Sequence, residues 1–389
     1  MRLSRADHSL LSDWWFTVDR VLLAAILTLV GAGLVLSLAA SPAIAVKRGL
    51  GPYYYVERHA LFAVLAVAVM LMLSLLDPRR LRRAALAILA VSLVLMALVL
   101  VIGPEINGAH RWIRVLGYSL QPSELAKPAF VFLTAWLLAE GQRRPDVPAT
   151  AISVGLYLAF AALLVVEPDF GQTLLVTGVW GLLFFISGLP LRWAGVLGAL
   201  ALLGSGFAYY TFPHVKGRID RFFDPSVGDT FQTDRAWSSF LEGGFVGRGP
   251  GEGTIKTTLP DAHTDFILAV IAEEYGVLAC LALLALLGFI VFRPLLTAIG
   301  TADAFTRFSV IGLCLLFGGE ALINMAVNVG LIPAKGMTLP FVSAGGSATL
   351  GMGIAMGLLL GALRRRRPGT APPGAEPLPR GVAGFPRVK

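Results

Sequence analysis

The sequence predicts an all-α, polytopic membrane protein with about ten transmembrane helices, and three observations carry that prediction. Hydrophobic residues make up 56% of the 389 residues and charged ones only 14%, whereas a soluble domain carries roughly a quarter charged residues because its surface must face water. Apolar runs of about 20 residues, enough to cross a hydrocarbon core ~30 Å thick, recur along the chain. Arginine clusters punctuate those runs where positive charge fixes topology.

Taken in order, the runs place helices over roughly 20–41, 60–76, 84–103, 122–140, 149–166, 170–188, 190–212, 265–292, 305–330 and 342–363. Residues 1–19 form a cytoplasmic N-terminal segment, 20–363 the membrane domain, and the Pro- and Gly-rich stretch 364–389 a disordered cytoplasmic tail. Ala43-Ile44-Ala45 resembles a signal-peptide cleavage box, but the run Val21–Ala40 is longer than a signal-peptide core and follows a polar segment. It reads as an uncleaved helix. Arg20, Arg79–Arg83, Arg143, Arg144, Arg192, Arg293 and Arg364–Arg367 fall on one side, which leaves both chain ends in the cytoplasm. Lys47, Arg48, Arg58, Arg111 and Arg114 fall on the other side and depart from the bias. The net charge of +8 is thus placed for topology and not for nucleic acid. Cys280 and Cys314 lie inside apolar runs and read as packing residues, without disulfide or metal spacing. No internal repeat supports an inverted-repeat transporter.

Two outward loops stand out, one around 104–121 and a much longer periplasmic one over about 213–264. A long loop in a compact protein is functional or disordered. Phe222, Phe223, Phe231, Trp237, Phe240 and Phe245 give this one material to pack.

Ionisable groups at membrane depth point to function. Glu124 and Lys127 are three residues apart on one helix face, so they pair with each other or meet a ligand. Glu167-Pro168-Asp169 is a tight turn that binds a cation, orients a basic partner or is merely solvated. Asp265 falls where the eighth helix begins, as a reactive carboxylate or a cap. Glu273 lies on nearly the same face, ~12 Å deeper, and with Glu274 it must face a polar interior. Glu320 and Asn324, one turn apart on the ninth helix, are natural members of a buried network. Arg218, Arg221, Arg235, Arg248, Lys256 and Lys335 gather outward, and arginine suits phosphate recognition. One acid among several cations suits an anionic, lipid-linked ligand with a diphosphate and a hydroxyl to be activated.

Several motifs then resemble one family. Arg111-Trp112-Ile113 with Gly117 and Gln121-Pro122-Ser123-Glu124…Lys127 looks like the signature of the SEDS proteins (shape, elongation, division and sporulation). Arg218-Ile219 with Phe223-Asp224-Pro225, Pro260…Ala262-His263-Thr264-Asp265-Phe266, Glu273-Glu274, Pro333…Lys335-Gly336…Thr338-Leu339-Pro340 and Ser343…Gly345-Gly346-Ser347 follow in the family's order. Ala334-Lys335-Gly336-Met337-Thr338 is similar to the division branch rather than the elongation branch. Glu167 stands where many members have Gln, Gln172 where Thr is common, and Phe231 and Ala344 where Tyr is expected.

The resemblance implies a peptidoglycan glycosyltransferase that polymerises lipid II at the division septum and expels undecaprenyl diphosphate. Asp265 is then the catalytic base. Arg218, Lys127, Glu124, Lys335, His263 and Ser343 are substrate-binding candidates, supported by Glu167, Asp169, Glu273, Glu274, Glu320 and Asn324. A divalent cation (Mg2+ or Mn2+) could assist at the diphosphate, although the sequence shows no dedicated metal site. Expected partners are lipid II, a class B penicillin-binding protein of the division machinery, other divisome proteins and membrane lipid. The alternatives are an elongation-type polymerase, a lipid II flippase, or a scaffold that recruits the transpeptidase.

Overall fold

The computed structural model describes residues 9–106, 109–115, 117–188, 191–211, 213–224, 231–333 and 336–364. They form helices α1 (Leu10–Thr17), α2 (Arg20–Lys47), α3 (Tyr54–Leu75), α4 (Pro78–Ile102), α5 (Pro122–Arg143), α6 (Ala149–Val166), α7 (Phe170–Ile186), α8 (Leu191–Thr211), α9 (Pro213–Phe223), α10 (Phe231–Gly243), α11 (Ile267–Ile299), α12 (Ala304–Asn328) and α13 (Gly346–Leu363). Among the described residues, the ten helices other than the short α1, α9 and α10 match the ten expected spans in order. Seven of them are long and apolar enough to cross a membrane. The apolar α7 is shorter, and α5 carries Glu124, Lys127, Glu140 and Arg143 along its length.

Several helices outrun their apolar stretches. Helix α4 starts at Pro78 because Asp77 caps it, accepting the Arg80 N–H at 2.9 Å, and Pro suits the first helical position. The loop between α4 and α5 holds the only strands among the described residues. These are two small antiparallel hairpins, β1 (Glu105–Ile106) with β2 (Ala109–His110) and β3 (Ile113–Val115) with β4 (Tyr118–Leu120).

Helix α13 is buried on nearly every side and sits at the centre. It meets α3 backbone to backbone. A side chain at Gly353 would collide with the Ala66 carbonyl, and one at Gly357 with the backbone of Met70. Small residues permit such close approach where lipid offers helices no hydrophobic drive to associate.

Basic residues tie down the end of the bundle that carries α1. Arg293 pairs with Asp19 at 2.9 and 3.1 Å. Arg364 donates to the Ser74 and Leu75 carbonyls at the end of α3, at 3.1 and 2.8 Å. The other end, here the loop face, gathers the hairpins, the 167–169 turn and the chain from α10 to Phe266.

That long segment does not stay outside the bundle. Helix α10 packs on α11 so closely that a side chain at Gly243 would strike the Ala272 carbonyl. Helix α11 is broken at Gly276 (φ 78°, ψ 176°), leaving main-chain groups without helical partners. The chain after α10 supplies them. Arg248 N–H donates to the Glu273 carbonyl at 2.9 Å and Gly249 N–H to Glu274 at 3.0 Å. Val277 N–H and Leu278 N–H donate back to the Gly244 and Phe245 carbonyls at 2.9 and 3.2 Å. A non-helical backbone is tolerated in a membrane protein only where every polar group is satisfied in this way.

Replacing Gly276 with Ala is expected to lower stability by about 1–3 kcal/mol, since that backbone region is essentially glycine-only. Its Cβ would also meet the Phe245 carbonyl. Gly288→Ala, on the same helix with only the Phe292 ring nearby, should leave stability unchanged or raise it. Thermal unfolding in detergent, with the two variants side by side, checks both.

Candidate active site

The segment 261–266 enters α11 clamped on its carbonyl side. Ala344 N–H donates to the His263 carbonyl at 3.0 Å, and the Ser343 hydroxyl to the Thr264 carbonyl at 2.5 Å. The side-chain amides of Asn324 and Asn328 both donate to the Asp265 carbonyl, at 2.9 and 2.8 Å. Asn328 Oδ1 also accepts the Ala269 N–H at 3.1 Å, shared with the Phe266 carbonyl in the first turn of α11. The Asp261 carbonyl closes the turn, accepting from Thr264 and Phe266 at 3.0 and 3.3 Å.

Three consecutive carbonyls are thus fixed by α12 and by the turn before α13. Asp265 rides on that frame, half-buried, beside Gly336. It sits two residues before α11, whose N-cap is Phe266, so the cap reading of Asp265 gives way to a carboxylate just outside the helix.

Behind this frame lies a sealed charge set. Lys127 is fully buried. Its ammonium meets Glu124 at 2.9 Å and Gln172 Oε1 at 2.7 Å, and it pairs closely with Glu320. Gln172 Nε2 returns to Glu124 at 2.7 Å. Lys127 has three N–H donors and three protein acceptors, so contact with a ligand would require opening this set. Glu320 faces Lys127, while Asn324 one turn on serves Asp265 and the Met337 carbonyl. The two expected network partners therefore serve different neighbours.

Glu273 and Glu274 anchor the long loop. The Glu273 carboxylate accepts N–H bonds from Thr254, Ile255 and Lys256 at 2.6, 2.7 and 3.1 Å. Glu274 pairs with the Lys256 ammonium, which also donates to the Ala39 carbonyl at 3.2 Å. Lys256, an outward cation in the sequence reading, is consumed here.

Arg111 braces the 167–169 turn, donating to the carbonyls of Glu167 (2.6 Å) and Pro168 and standing 3.8 Å from Asp169. Gln121 donates to Asp169 at 3.0 Å. Glu167 is buried with neither carboxyl oxygen bonded. Burial, helped by the Asp169 charge and opposed by Arg111, pushes it up to about 8.

His263 is also buried, against Tyr55 with ring centroids 4.4 Å apart. Burial first, and the Arg48 charge second, take its pKa down to about 4, so at neutral pH it offers a ligand no positive charge. The Ser343 hydroxyl is occupied, since it accepts the Leu339 N–H at 2.8 Å besides its bond to Thr264. Arg218 lies on α9 with its side chain outside what the structure describes, and Lys335 lies outside the described residues. Among the described residues, no three His, Cys, Asp or Glu side chains come together as a metal site. Sequence reasoning missed Asn328, whose amide holds the Asp265 carbonyl. An asparagine one turn after Asn324 in an apolar helix was the available signal.

Comparison with known proteins identifies the family. The family model of the FtsW, RodA and SpoVE proteins, described as "Cell cycle protein", matches residues 20–368. The chain belongs to this family, the SEDS proteins. It is 44% identical over 367 residues to a "Probable peptidoglycan glycosyltransferase FtsW" of Caulobacter vibrioides, covering 94% of each chain. It is 35% identical to the protein of that name in Geobacter metallireducens, covering 90% of this chain and 95% of that one. Among solved structures it resembles RodA of Thermus thermophilus (TM-score 0.66, 28% identity, 91% of this chain and 99% of that one). It also resembles a chain of a peptidoglycan synthase complex described as coordinating polymerization and crosslinking (TM-score 0.74, 29% identity, 89% and 97%). Within the SEDS family, FtsW proteins are thus its like, in keeping with the division-type reading.

Two predictions follow from this geometry. Lys127→Met leaves two buried carboxylates without their cation and should cost about 3–5 kcal/mol, read as a lower unfolding midpoint in detergent. Folding raises the pKa of Glu167 from 4.5 to about 8. Ionisation of this side chain therefore adds no penalty below pH 4.5 and destabilises the fold progressively as pH rises towards 8. Glu167→Gln, which cannot ionise, should gain stability over wild type across that window, seen as unfolding midpoints that diverge with pH.

Proposed function

We propose that this SEDS protein is a peptidoglycan glycosyltransferase that polymerises lipid II at the division septum. The observation that carries the reading is the placement of Asp265. It is a half-buried carboxylate at the loop face, on a backbone whose carbonyl takes two asparagine amides. A general base must hold its place to within a fraction of an ångström of the productive geometry, and that frame supplies the rigidity. The names of its FtsW relatives supply the substrate class.

In this reading the C4 hydroxyl of one disaccharide attacks the anomeric carbon of another. The new glycosidic C–O bond forms as the anomeric C–O bond to diphosphate breaks. Asp265 takes the hydroxyl proton, and undecaprenyl diphosphate departs with the bonding electrons. Positive charge on the leaving group lowers the barrier.

The loop face is periplasmic and the Arg293–Asp19 end cytoplasmic, with residues 1–19 and 364–389 inside the cell. This follows from the basic residues concentrated at the latter end. A single-span class B penicillin-binding protein is the partner, in keeping with the synthase complex among its structural neighbours.

Purified wild-type protein with lipid II, with and without the transpeptidase, is expected to yield glycan polymer on a gel. Asp265→Asn should lower the rate by 10²-fold or more, in the range general-base removal gives. Wild-type rates in Asp265→Asn would remove the base assignment. Absence of polymer from wild type with partner present would remove the polymerase reading.

A further inference from the structure

The proposed chemistry needs cations at the leaving diphosphate, and the structure withdraws several of those the sequence offered. Lys127 and Lys256 are buried and paired, and Arg248 pairs closely with Glu242. Arg111 is spent on the 167–169 turn. Of the arginines that break the charge bias of the helix ends, Arg48 and Arg58 flank the Tyr54–Tyr55 pair, which packs on His263.

Arg48 ends α2, its guanidinium half exposed. It donates to the Tyr55 hydroxyl at 2.8 Å and stands 3.8 Å from the Asp261 carboxylate, in the turn that holds Asp265. Arg58, on α3, donates to the Tyr54 hydroxyl at 2.7 Å and lies over the Tyr118 ring, 4.7 Å from its centroid. Tyr54 and Tyr55 meet edge to face at 5.2 Å, and Tyr55 packs on His263. The two cations therefore flank one aromatic pair that is itself wedged against the Asp265 segment.

Helix electrostatics explain only part of this. A cation at the end of α2 suits the macrodipole, but Arg58 lies near the start of α3, where the dipole favours an anion. The acids nearby are Asp261 and the exposed Glu57. A half-exposed pair such as Arg48–Asp261 contributes little to stability, so an incoming anion can replace it. Tyrosine hydroxyls and rings hold both guanidiniums extended, which spares the ordering cost a flexible lysine would incur.

We propose that Arg48 and Arg58 grip the diphosphate of a polyprenyl-diphosphate ligand and hold it beside Asp265. The assignment deepens the polymerase reading and rests on it for the ligand's identity. Planar guanidiniums match phosphate oxygens bidentately, and the apolar helix flanks below the rim suit a polyprenyl tail.

The test is direct binding of undecaprenyl diphosphate to the full chain in phosphatidylcholine nanodiscs, with Asp265→Asn as background so that nothing turns over. Arg48→Gln and Arg58→Gln should each weaken binding about tenfold, the worth of one charge-assisted hydrogen bond. Arg48→Lys should fall between. Added salt should weaken the parent and shrink the differences. Competition by inorganic diphosphate would support recognition of the headgroup, and undecaprenol, lacking phosphate, should bind without regard to either arginine.

Unchanged undecaprenyl diphosphate affinity in both glutamine variants, with parental unfolding midpoints, overturns the proposal. So does equal loss of undecaprenol binding, which would mark a structural role. If wild type makes no polymer yet diphosphate binding depends on the arginines, the polymerase reading falls and the anion site stands. In the active protein, Arg48→Gln should raise KM for lipid II more than it lowers kcat.

Discussion

Every backbone polar group at membrane depth must find a partner, and this fold breaks a transmembrane helix at Gly276 while still meeting that demand. The four main-chain bonds between 244–249 and 273–278 are what permit the break. They also draw the long loop into the bundle. Were α11 continuous, Glu273 and Glu274 would be a pair of acids facing lipid or a void. With the break spliced, their carboxylates turn into the returning loop, one into three backbone N–H groups and the other onto Lys256. The loop that looks like an appendage in sequence is a structural part of the eighth span.

The same economy governs the interior charges. Lys127 with Glu124, Glu320 and Gln172, and Lys256 with Glu274, are sets in which nearly every donor meets an acceptor. Buried ion pairs gain little over apolar packing, but a half-removed set is costly, so such groups lock α5, α7 and α12 into one arrangement. Glu167 is the exception. Its carboxyl has no hydrogen-bond partner, and burial keeps it protonated well above the ordinary carboxylate range.

The ten spans were legible because bilayer thickness dictates run length, and that signal survives any detail of packing. Their ends were less so. Helix α3 gains Tyr54 to His59, a polar turn that continues the helix without adding hydropathy, and α11 runs on through Arg293 and Pro294, which look like an end in sequence, to Ile299. Helix α10 was invisible for another reason. Its buried face is Ala236, Ser239 and Gly243, small residues chosen for close approach to α11, and they leave no apolar stripe to read. Of the expected aromatic anchors in that loop, Phe240 packs inward while Trp237 and Phe245 are exposed.

For the site, residue chemistry was legible but allegiance was not. Glu124 and Lys127 at i, i+3 announced a pair, yet nothing in their spacing said that Glu320, 193 residues away, completes it. His263 and Ser343 looked like groups for a substrate, and the structure turns both to holding the Asp265 segment. Asparagines, which carry no charge and attract less notice, hold the Asp265 carbonyl. A membrane protein that needs a rigid carboxylate cannot use a second buried ion to aim it without desolvation cost. Neutral amides, each able to donate and accept, fix the backbone without adding a charge beside the Asp265 carboxylate.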